Sequence, residues 1–295
     1  MKLLKLLAGF HEKTLVTFFI LLLICHMSLE ARVLETNKMN DFLKEIDENT
    51  VVFFDIDDTL IYIPTMMGNS VWWTYCQRVA NKNNWDQVKV ATVLWPTLNQ
   101  AANKVKTNLV DKTAPELIKG LQDRGIPVFG LTARSRQIMG DYAFDMTTIL
   151  DLSRLGIIFT QTEIDMPALR GGVIFTSTQL KGPFIERFLK KLKQKIKKVV
   201  FIDDNWSQIH SVDSCMATLK IPTVCFRYGK MDNAYDNFDP IVANIQLKAV
   251  LENDTIFTNE EASDIANHLT INDPHFYLKY LFENEVKPEI DPAYF

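Results

Sequence analysis

Three aspartates that directly follow a short apolar run are the residues of this chain best placed to do chemistry. The stretch begins at residue 51 and reads VVFFDIDDTL, with carboxylates at Asp55, Asp57 and Asp58. A continuous apolar run of this kind is typical of a buried strand in a parallel sheet. Burying several like charges together costs free energy unless a cation, a proton or a reaction uses them. The spacing therefore favours a functional site over an ordinary acidic turn.

Two further apolar runs also end in polar residues. IPVFGLT ends in Thr132, and KVVFI is followed by Asp203 and Asp204. Because the carboxyl ends of parallel strands share one edge of an open sheet, these side chains are expected to lie near the first aspartates. Lys181, just before a predicted helix, would enter the same site. Carboxylates with one lysine suit Mg²⁺ and phosphate, since Mg²⁺ is commonly held by one or two carboxylates plus substrate phosphate.

Apolar runs and helical patterns alternate through the middle of the chain, which predicts an α/β fold with a doubly wound parallel sheet. The predicted strands span residues 51–56, 126–132, 198–202 and 221–226. The predicted helices span residues 37–49, 114–124, 135–155, 183–194 and 206–219. Two shorter strands, at 156–159 and 172–176, are expected to form an exposed hairpin.

Two helical segments lie outside this alternation. Residues 62–111 are largely helical in pattern, with a break predicted at Pro96, and residues 237–285 predict three helices packed on the outside. The first segment is rich in aromatic residues, which suits either its own core or a lid that excludes water from a site. Trp72 and Trp73 are adjacent, so they cannot both face the same way on a helix, and one of them could reach the site.

Residues 1–31 have the pattern of a secretory signal peptide. Three lysines precede an apolar run over residues 15–25, which is too short for a comfortable membrane span. The pattern predicts a secreted or periplasmic protein with no stable membrane span after cleavage. The cleavage site is poor, because Leu29 lies where a small residue is expected before Ala31, so an uncleaved membrane anchor is the alternative.

The net charge and the cysteine content argue against two classes of protein, nucleic-acid binders and disulfide-stabilised domains. The formal net charge is −4, so a nucleic-acid partner is not expected. Of the four cysteines, Cys25 would leave with the signal peptide, and the odd number that remains does not suit a disulfide framework. Cys215 and Cys225 are compatible with a pair or with two buried free thiols.

Four segments in order, VFFDIDDTLI, GLTARS, QLKGPF and VVFIDDN, resemble the four motifs of the haloacid dehalogenase (HAD) superfamily of phosphatases. The resemblance covers about residues 48–230 and is closest to the secreted, periplasmic bacterial branch. It implies a HAD-like Rossmannoid core formed by residues 32–61 and 112–235. It further implies a helical cap insertion at residues 62–111, followed by a helical C-terminal extension at residues 236–295.

The resemblance also implies a Mg²⁺-dependent phosphatase that hydrolyses small phosphomonoesters through an aspartyl-phosphate. Asp55 would be the nucleophile. Asp57 would protonate the leaving oxygen and then deprotonate the attacking water. Thr132 and Lys181, with Ala133 beside them, would bind the phosphoryl group.

The metal ligands implied by the resemblance come from two of the motifs. Asp55 and Asp203 would ligate Mg²⁺ together with the backbone carbonyl of Asp57. Asp204 would be a further partner of the ion. Arg134 is expected to be a loop charge or to pair with a neighbouring carboxylate.

Two other functions are compatible with the same sequence. A phosphotransferase would use the same residues and pass the phosphate to a hydroxyl acceptor in place of water. A secreted binding or host-directed protein would keep the fold and use the helices of residues 237–285 to contact a partner. The intact set of aspartates, with Lys181, argues against an inactive scaffold.

Overall fold

The computed structural model of the protein describes residues 32–283, except 137, 140–141 and 193–195. The predicted signal peptide at residues 1–31 lies outside the described residues, as do residues 284–295 of the predicted extension. Among the residues described, no helix combines the length and the apolar character needed to cross a membrane.

A mostly parallel sheet forms the centre of the molecule. The strands of the described residues are, in chain order, β1 Arg32–Thr36, β2 Thr50–Phe54, β3 Ile61–Tyr62, β4 Asn108–Leu109, β5 Val128–Thr132, β6 Ile138–Met139, β7 Tyr142–Ala143, β8 Leu169–Arg170, β9 Val173–Phe175, β10 Lys198–Asp203 and β11 Thr223–Tyr228. Seven form one sheet in the order β1-β11-β10-β2-β5-β9-β8, in which only β8 runs antiparallel to its neighbour. The other strands pair as two antiparallel ribbons, β3 with β4 and β6 with β7. The predicted α/β class and parallel sheet are confirmed.

Helices connect the strands and extend the chain beyond them. They are, in chain order, α1 Ser70–Lys82, α2 Gln87–Lys104, α3 Ala114–Asp123, α4 Phe144–Arg154, α5 Gly182–Lys191, α6 Trp206–Thr218, α7 Pro240–Asn253, α8 Asn259–His268 and α9 Phe276–Glu283. A 3₁₀ helix at Met39–Glu45 lies within the region where a longer helix was predicted.

Strand β2 is buried on both faces because it is the central strand and almost every residue in it is apolar. Val51 and Phe53 point into a layer that includes α5 and α6. Val52 and Phe54 point into the opposite layer, which includes α3 and the 3₁₀ helix. Side chains of a strand alternate between the two faces of its sheet, so helices on both faces bury the whole strand. This burial holds the end of β2, and the residue after it, in a fixed position.

Two local predictions in the middle of the chain are wrong. Residues 172–176 contain the buried strand β9, which pairs in parallel with β5, and residues 156–159 form no strand, so the exposed hairpin is not present. The helix predicted over 135–155 begins only at Phe144, after the ribbon of β6 and β7.

The break predicted at Pro96 is also wrong, since α2 continues through this residue. Leu94 and Ala101, before and after the proline, are both buried in a hydrophobic cluster formed in part by residues 62–111, a segment that we call the cap for its position alone. Their packing compensates for the backbone hydrogen bond that a proline removes from a helix interior.

The C-terminal helices are integrated with the cap, which differs from the prediction of helices packed on the outside. One hydrophobic cluster joins Trp72 and Leu94 of the cap to Leu247 and Tyr277 of the C-terminal region. All nine residues from 242 to 250 in α7 are buried. A helix that is buried around its whole circumference belongs to a core and not to a surface layer. Residues 62–111 and the described part of 236–295 therefore share one core, which we call the helical unit.

The segment that leads from the sheet into the cap is hydrogen-bonded to the C-terminal helices. The backbone N–H of Met67 donates to Oε1 of Gln246 at 2.8 Å, and that of Met66 donates to Oδ1 of Asn259 at 2.9 Å. Asn259 in turn donates through Nδ2 to the carbonyl of Pro64 at 2.9 Å. These contacts fix the entry to the cap in the same framework as α7 and α8.

Candidate active site

Three adjacent strands bring the predicted site residues to one edge of the sheet. Asp203 is the last residue of β10, Asp55 directly follows β2, and Thr132 is the last residue of β5. These strands are neighbours in the order β10-β2-β5 and are parallel, so their carboxyl ends lie side by side. The backbone N–H of Asp55 also donates to the carbonyl of Ile202 at 2.8 Å, which ties the end of β2 to β10.

Lys181 bridges two of the aspartates. Its Nζ donates to Oδ2 of Asp203 at 2.6 Å and to Oδ1 of Asp55. The lysine side chain is only 2% exposed, so this ammonium is removed from water together with its two partners. The carboxylates beside it raise the pKa of Lys181 against the opposing effect of burial, and the lysine stays charged.

A close approach of two helices places Lys181 at this point. It precedes α5, and its backbone N–H donates to Oε1 of Gln208 in α6 at 2.9 Å. The next residue is Gly182, where a Cβ would lie 2.3 Å from the carbonyl oxygen of Ser211. Only glycine allows α5 to begin so close to α6, and the lysine is positioned by this contact.

Asp55, Asp203 and Asp204 form a cluster that could hold a metal ion, with one carboxylate oxygen from each lying within 4.8 Å of the others. Burial raises the pKa of Asp55 well above its usual range, although Lys181 opposes the shift. Burial likewise raises the pKa of Asp203, and it raises that of Asp204 to about 7. When ionised, three carboxylates beside one ammonium leave a net charge of −2. A divalent cation would balance this charge, and an all-oxygen donor set fits Mg²⁺.

Two backbone contacts orient the aspartates that end β10. The N–H of Asp204 donates to Oγ1 of Thr59 at 3.1 Å, so Thr59 satisfies a backbone group of the neighbouring strand end. The N–H of Asn205 donates to Oδ1 of Asp203 at 2.8 Å. The two oxygens of Asp203 are thus directed by different partners, a backbone amide and the Lys181 ammonium.

Asp57 is not part of the carboxylate cluster through its side chain. Arg134 binds both of its oxygens, Nε to Oδ2 at 2.9 Å and Nη2 to Oδ1 at 2.6 Å. The guanidinium is itself fixed, because Nη1 donates to Oγ1 of Thr148 at 2.9 Å and the group lies over the Phe144 ring at 5.1 Å. The ligand predicted from Asp57 is its backbone carbonyl, which does not depend on this arrangement.

Asp58 lies outside the metal-binding cluster and contacts Ser70 of the helical unit and Tyr235. Its φ of 59° is left-handed, a conformation that non-glycine residues seldom adopt. Tyr235 donates to its Oδ1 at 2.5 Å, and its own N–H donates to the carbonyl of Ile61 at 2.8 Å. Burial raises the pKa of Asp58, and hydrogen bonds from Ser70 and Tyr235 oppose the shift.

Thr132 is fully buried beneath the site. Its Oγ1 accepts a hydrogen bond from the backbone N–H of Arg134 at 3.1 Å, which holds the loop after β5 in a tight turn. Ala133 and Arg134 line the cavity above it. The loop therefore presents Ala133 and the Arg134 side chain to the site, with the threonine hydroxyl as its support.

A cavity of about 370 Å³ lies over the carboxylates, between the sheet edge and the cap. Its floor includes Asp55, Lys181 and Asp203, and its wall on the cap side includes Trp73 and Trp95. Trp72 has no exposed surface and belongs to the core of the helical unit. Of the two adjacent tryptophans, Trp73 is the one that reaches the site.

Two residues at the site were missed or undervalued by sequence reasoning. The sequence predicts that Arg134 is either a loop charge or the partner of a neighbouring carboxylate, but it does not identify Asp57 as that carboxylate. Tyr235 is not predicted as a site residue, because it lies 177 residues from Asp58 and nothing in its local sequence marks it.

The cysteines in the described residues, Cys76, Cys215 and Cys225, form no disulfide bond.

Comparison with known proteins assigns a family to the chain. The family model described as "Protein of unknown function (DUF2608)" matches residues 34–263, so the chain belongs to this family. No curated protein and no solved structure matches the chain. The matched range contains all the site residues described above, from Asp55 to Tyr235.

Proposed function

We propose that this member of a family of unknown function is a Mg²⁺-dependent phosphatase with a HAD-like core that hydrolyses phosphomonoesters through an aspartyl-phosphate on Asp55. One observation carries the proposal: a buried Asp55 contacts Lys181 and clusters with Asp203 and Asp204 on the floor of a cavity. Nucleophilic carboxylates of this kind form covalent phosphoryl intermediates. The resemblance of the four sequence motifs supports the same reaction.

The carboxylate cluster is suited to hold the metal ion. Asp55, Asp203 and Asp204 supply oxygen ligands and a negative charge that one divalent cation would neutralise. When bound, Mg²⁺ would offset the charge on the phosphoryl oxygens so that a carboxylate can approach them. The buried ammonium of Lys181 contributes a second positive charge from the protein itself.

The proposed reaction consists of two successive displacements at phosphorus. In the first, a carboxylate oxygen of Asp55 forms a bond to phosphorus, the bond from phosphorus to the leaving oxygen breaks, and Asp57 gives a proton to that oxygen. In the second, water attacks phosphorus, Asp57 accepts a proton from it, and the bond to Asp55 breaks to release phosphate. Arg134 holds Asp57 in place for this step. The cap wall limits the access of bulk water during the first displacement.

The location of the protein is a separate proposal that rests on residues 1–31 alone. The lysines and the apolar run of this segment would direct the chain to the periplasm or the medium. A secreted phosphatase would then act on substrates outside the cytoplasm.

Hydrolysis of a generic aryl phosphate by the purified chain tests the proposal. Activity is expected with Mg²⁺ and should disappear with a chelator and in Asp203→Asn, which loses a predicted ligand. Asp123→Asn is the matched control, because Asp123 lies on the surface in an ion pair with Lys119 and should have no effect. Full activity in the chelator, or in Asp203→Asn, would refute the metal-dependent reaction.

A further inference from the structure

Two tryptophans of the cap form an aromatic surface in the cavity. The ring centroids of Trp73 on α1 and Trp95 on α2 are 4.5 Å apart, with an interplanar angle of 39°. Both side chains are partly exposed and line the cavity. The other tryptophans of the cap are engaged elsewhere: Trp72 is fully buried, and Trp85 packs against Phe282 at 5.1 Å. The pair therefore supplies an indole surface on which a bound molecule can pack.

The charges of the cavity are separated from this surface. Among the described residues that line the cavity, the charged side chains lie on the sheet side, and those contributed by the cap are all uncharged. Leu98 and Ile63 add further apolar area beside the tryptophans. A charged leaving group placed there would lose its hydration without gaining an opposite charge. The cap side therefore favours a group without charge.

The side chains of Asn69, Ser70 and Thr74 on the cap side already make hydrogen bonds within the protein. Oδ1 of Asn69 accepts from the N–H of Trp72 at 2.8 Å, and its Nδ2 donates to the carbonyl of Thr65 at 3.1 Å. The hydroxyl of Thr74 donates to the carbonyl of Ser70 at 3.1 Å. A polyhydroxylated group such as a sugar would exchange its bonds with water for few bonds with protein, which costs free energy.

We infer that the site is specific for phosphomonoesters with an uncharged aromatic leaving group, which stacks on Trp73 and Trp95 while the phosphate lies over Asp55. The inference rests on the proposed function for the position of the phosphate. The cavity of about 370 Å³ lies near the lower end of the range for small-molecule sites, so it would hold the phosphate with one or two rings.

Binding to the full-length Asp55→Asn chain in the presence of Mg²⁺ tests the inference without turnover. Isothermal titration calorimetry would compare 1-naphthyl phosphate with glycerol 2-phosphate and inorganic phosphate. We expect the naphthyl ester to bind at least about tenfold more tightly than the glycerol ester, from stacking and apolar burial. Equal affinity for the two esters, or tighter binding of an alkyl phosphate than of the naphthyl ester, would overturn the inference.

Substitutions in the same background locate the contact. Trp73→Leu and Trp95→Leu should each weaken naphthyl phosphate binding about three- to tenfold and leave inorganic phosphate unchanged. Trp73→Phe keeps an aromatic face and should retain most of the affinity. Trp85→Leu is the matched control and should have no effect, since Trp85 packs on Phe282 away from the cavity. An equal loss in Trp85→Leu, or none in the other two leucine variants, would overturn the assignment.

Hydrolysis by the unsubstituted chain separates this inference from the proposed function. Hydrolysis of both esters at equal kcat/KM would support the phosphatase and overturn the aromatic preference. Tight binding of the naphthyl ester with no hydrolysis of either ester would refute the phosphatase and support aromatic recognition.

Discussion

Arg134 holds Asp57 through two parallel hydrogen bonds, of 2.9 Å from Nε and 2.6 Å from Nη2. The arginine side chain is 7% exposed, whereas that of the aspartate is 43% exposed. The guanidinium is thus a buried support for a carboxylate that faces the cavity. Two-point contacts of this type fix the plane of the carboxylate as well as its position.

Arg134→Lys should therefore lower activity without abolishing folding. A lysine keeps the positive charge but cannot make the two-point contact, so Asp57 loses its fixed orientation. We expect kcat to fall roughly tenfold to a hundredfold with little change in KM. Steady-state kinetics would measure this, with Arg136→Lys as the matched control, because Arg136 pairs with Asp145 outside the cavity. Equal kcat values for the two variants would contradict a positioning role for Arg134.

Replacing Lys181 with methionine should destabilise the protein strongly when Mg²⁺ is removed. The change leaves Asp55 and Asp203 buried without their cation, which typically costs about 3–5 kcal/mol of the free energy of unfolding. Added Mg²⁺ should recover part of the loss, because it neutralises the same carboxylates.

Urea denaturation with a chelator and with Mg²⁺ would measure both effects. Lys119→Met is the control, since Lys119 pairs with Asp123 on the surface and should change stability little. Equal stability of the two variants in the chelator would contradict the buried ion pairs at Lys181.

The contribution of the carboxylate cluster to the stability of the metal-free protein should fall as the pH rises. Burial raises the pKa of Asp55 and Asp203, and it raises that of Asp204 to about 7. A carboxyl with a raised pKa binds more protons in the folded state than in the unfolded state, so the contribution of these groups to the free energy of unfolding decreases from about pH 4 to about pH 7. Mg²⁺ binds the carboxylate form, and its stabilising effect should increase over the same interval.

Thermal unfolding with Mg²⁺ and with a chelator, at about pH 5 and about pH 7.5, would measure this linkage. The difference in Tm produced by Mg²⁺ should be larger at the higher pH, and Asp204→Asn should reduce the dependence on pH. A Mg²⁺ effect on Tm that is the same at both pH values would be inconsistent with carboxylates of raised pKa in the metal site.

Leu247→Ala should show that the C-terminal helices are part of the helical unit. Leu247 on α7 has no exposed surface and lies in the core shared with the cap. Truncating it should reduce the free energy of unfolding by about 2–5 kcal/mol. Leu150→Ala is the control, because Leu150 is 63% exposed and should be nearly neutral. A neutral Leu247→Ala in urea denaturation would indicate that this helix contributes little to the core.

The main strands could be predicted because each is a continuous apolar run. Strands β2, β5, β10 and β11 begin and end within about two residues of the predicted bounds. Strand β9 has only three residues, and its pairing with β5 depends on partners more than 40 positions away in the chain. Its place in the sheet therefore has no strong local signal.

The site could be predicted in part for the same reason. The placement of Asp55 and Asp203 follows from adjacent parallel strands, a relationship that sequence patterns contain. The contact between Tyr235 and Asp58 joins residues that are 177 positions apart in the chain, and no local pattern specifies it. The choice of Trp73 over Trp72 for the cavity likewise required the orientation of α1, because adjacent helical residues differ in direction by about 100°.

The central claim is that Asp55 carries the phosphoryl group during the reaction. The most direct test compares the turnover of an aryl phosphate by Asp55→Asn and by the unsubstituted chain, both with Mg²⁺. The unsubstituted chain should turn over, and acid quenching during turnover should leave phosphate on the peptide that contains residue 55. Asp55→Asn should remain folded, show no turnover and yield no phosphorylated peptide. Turnover that persists in Asp55→Asn would contradict the proposed mechanism.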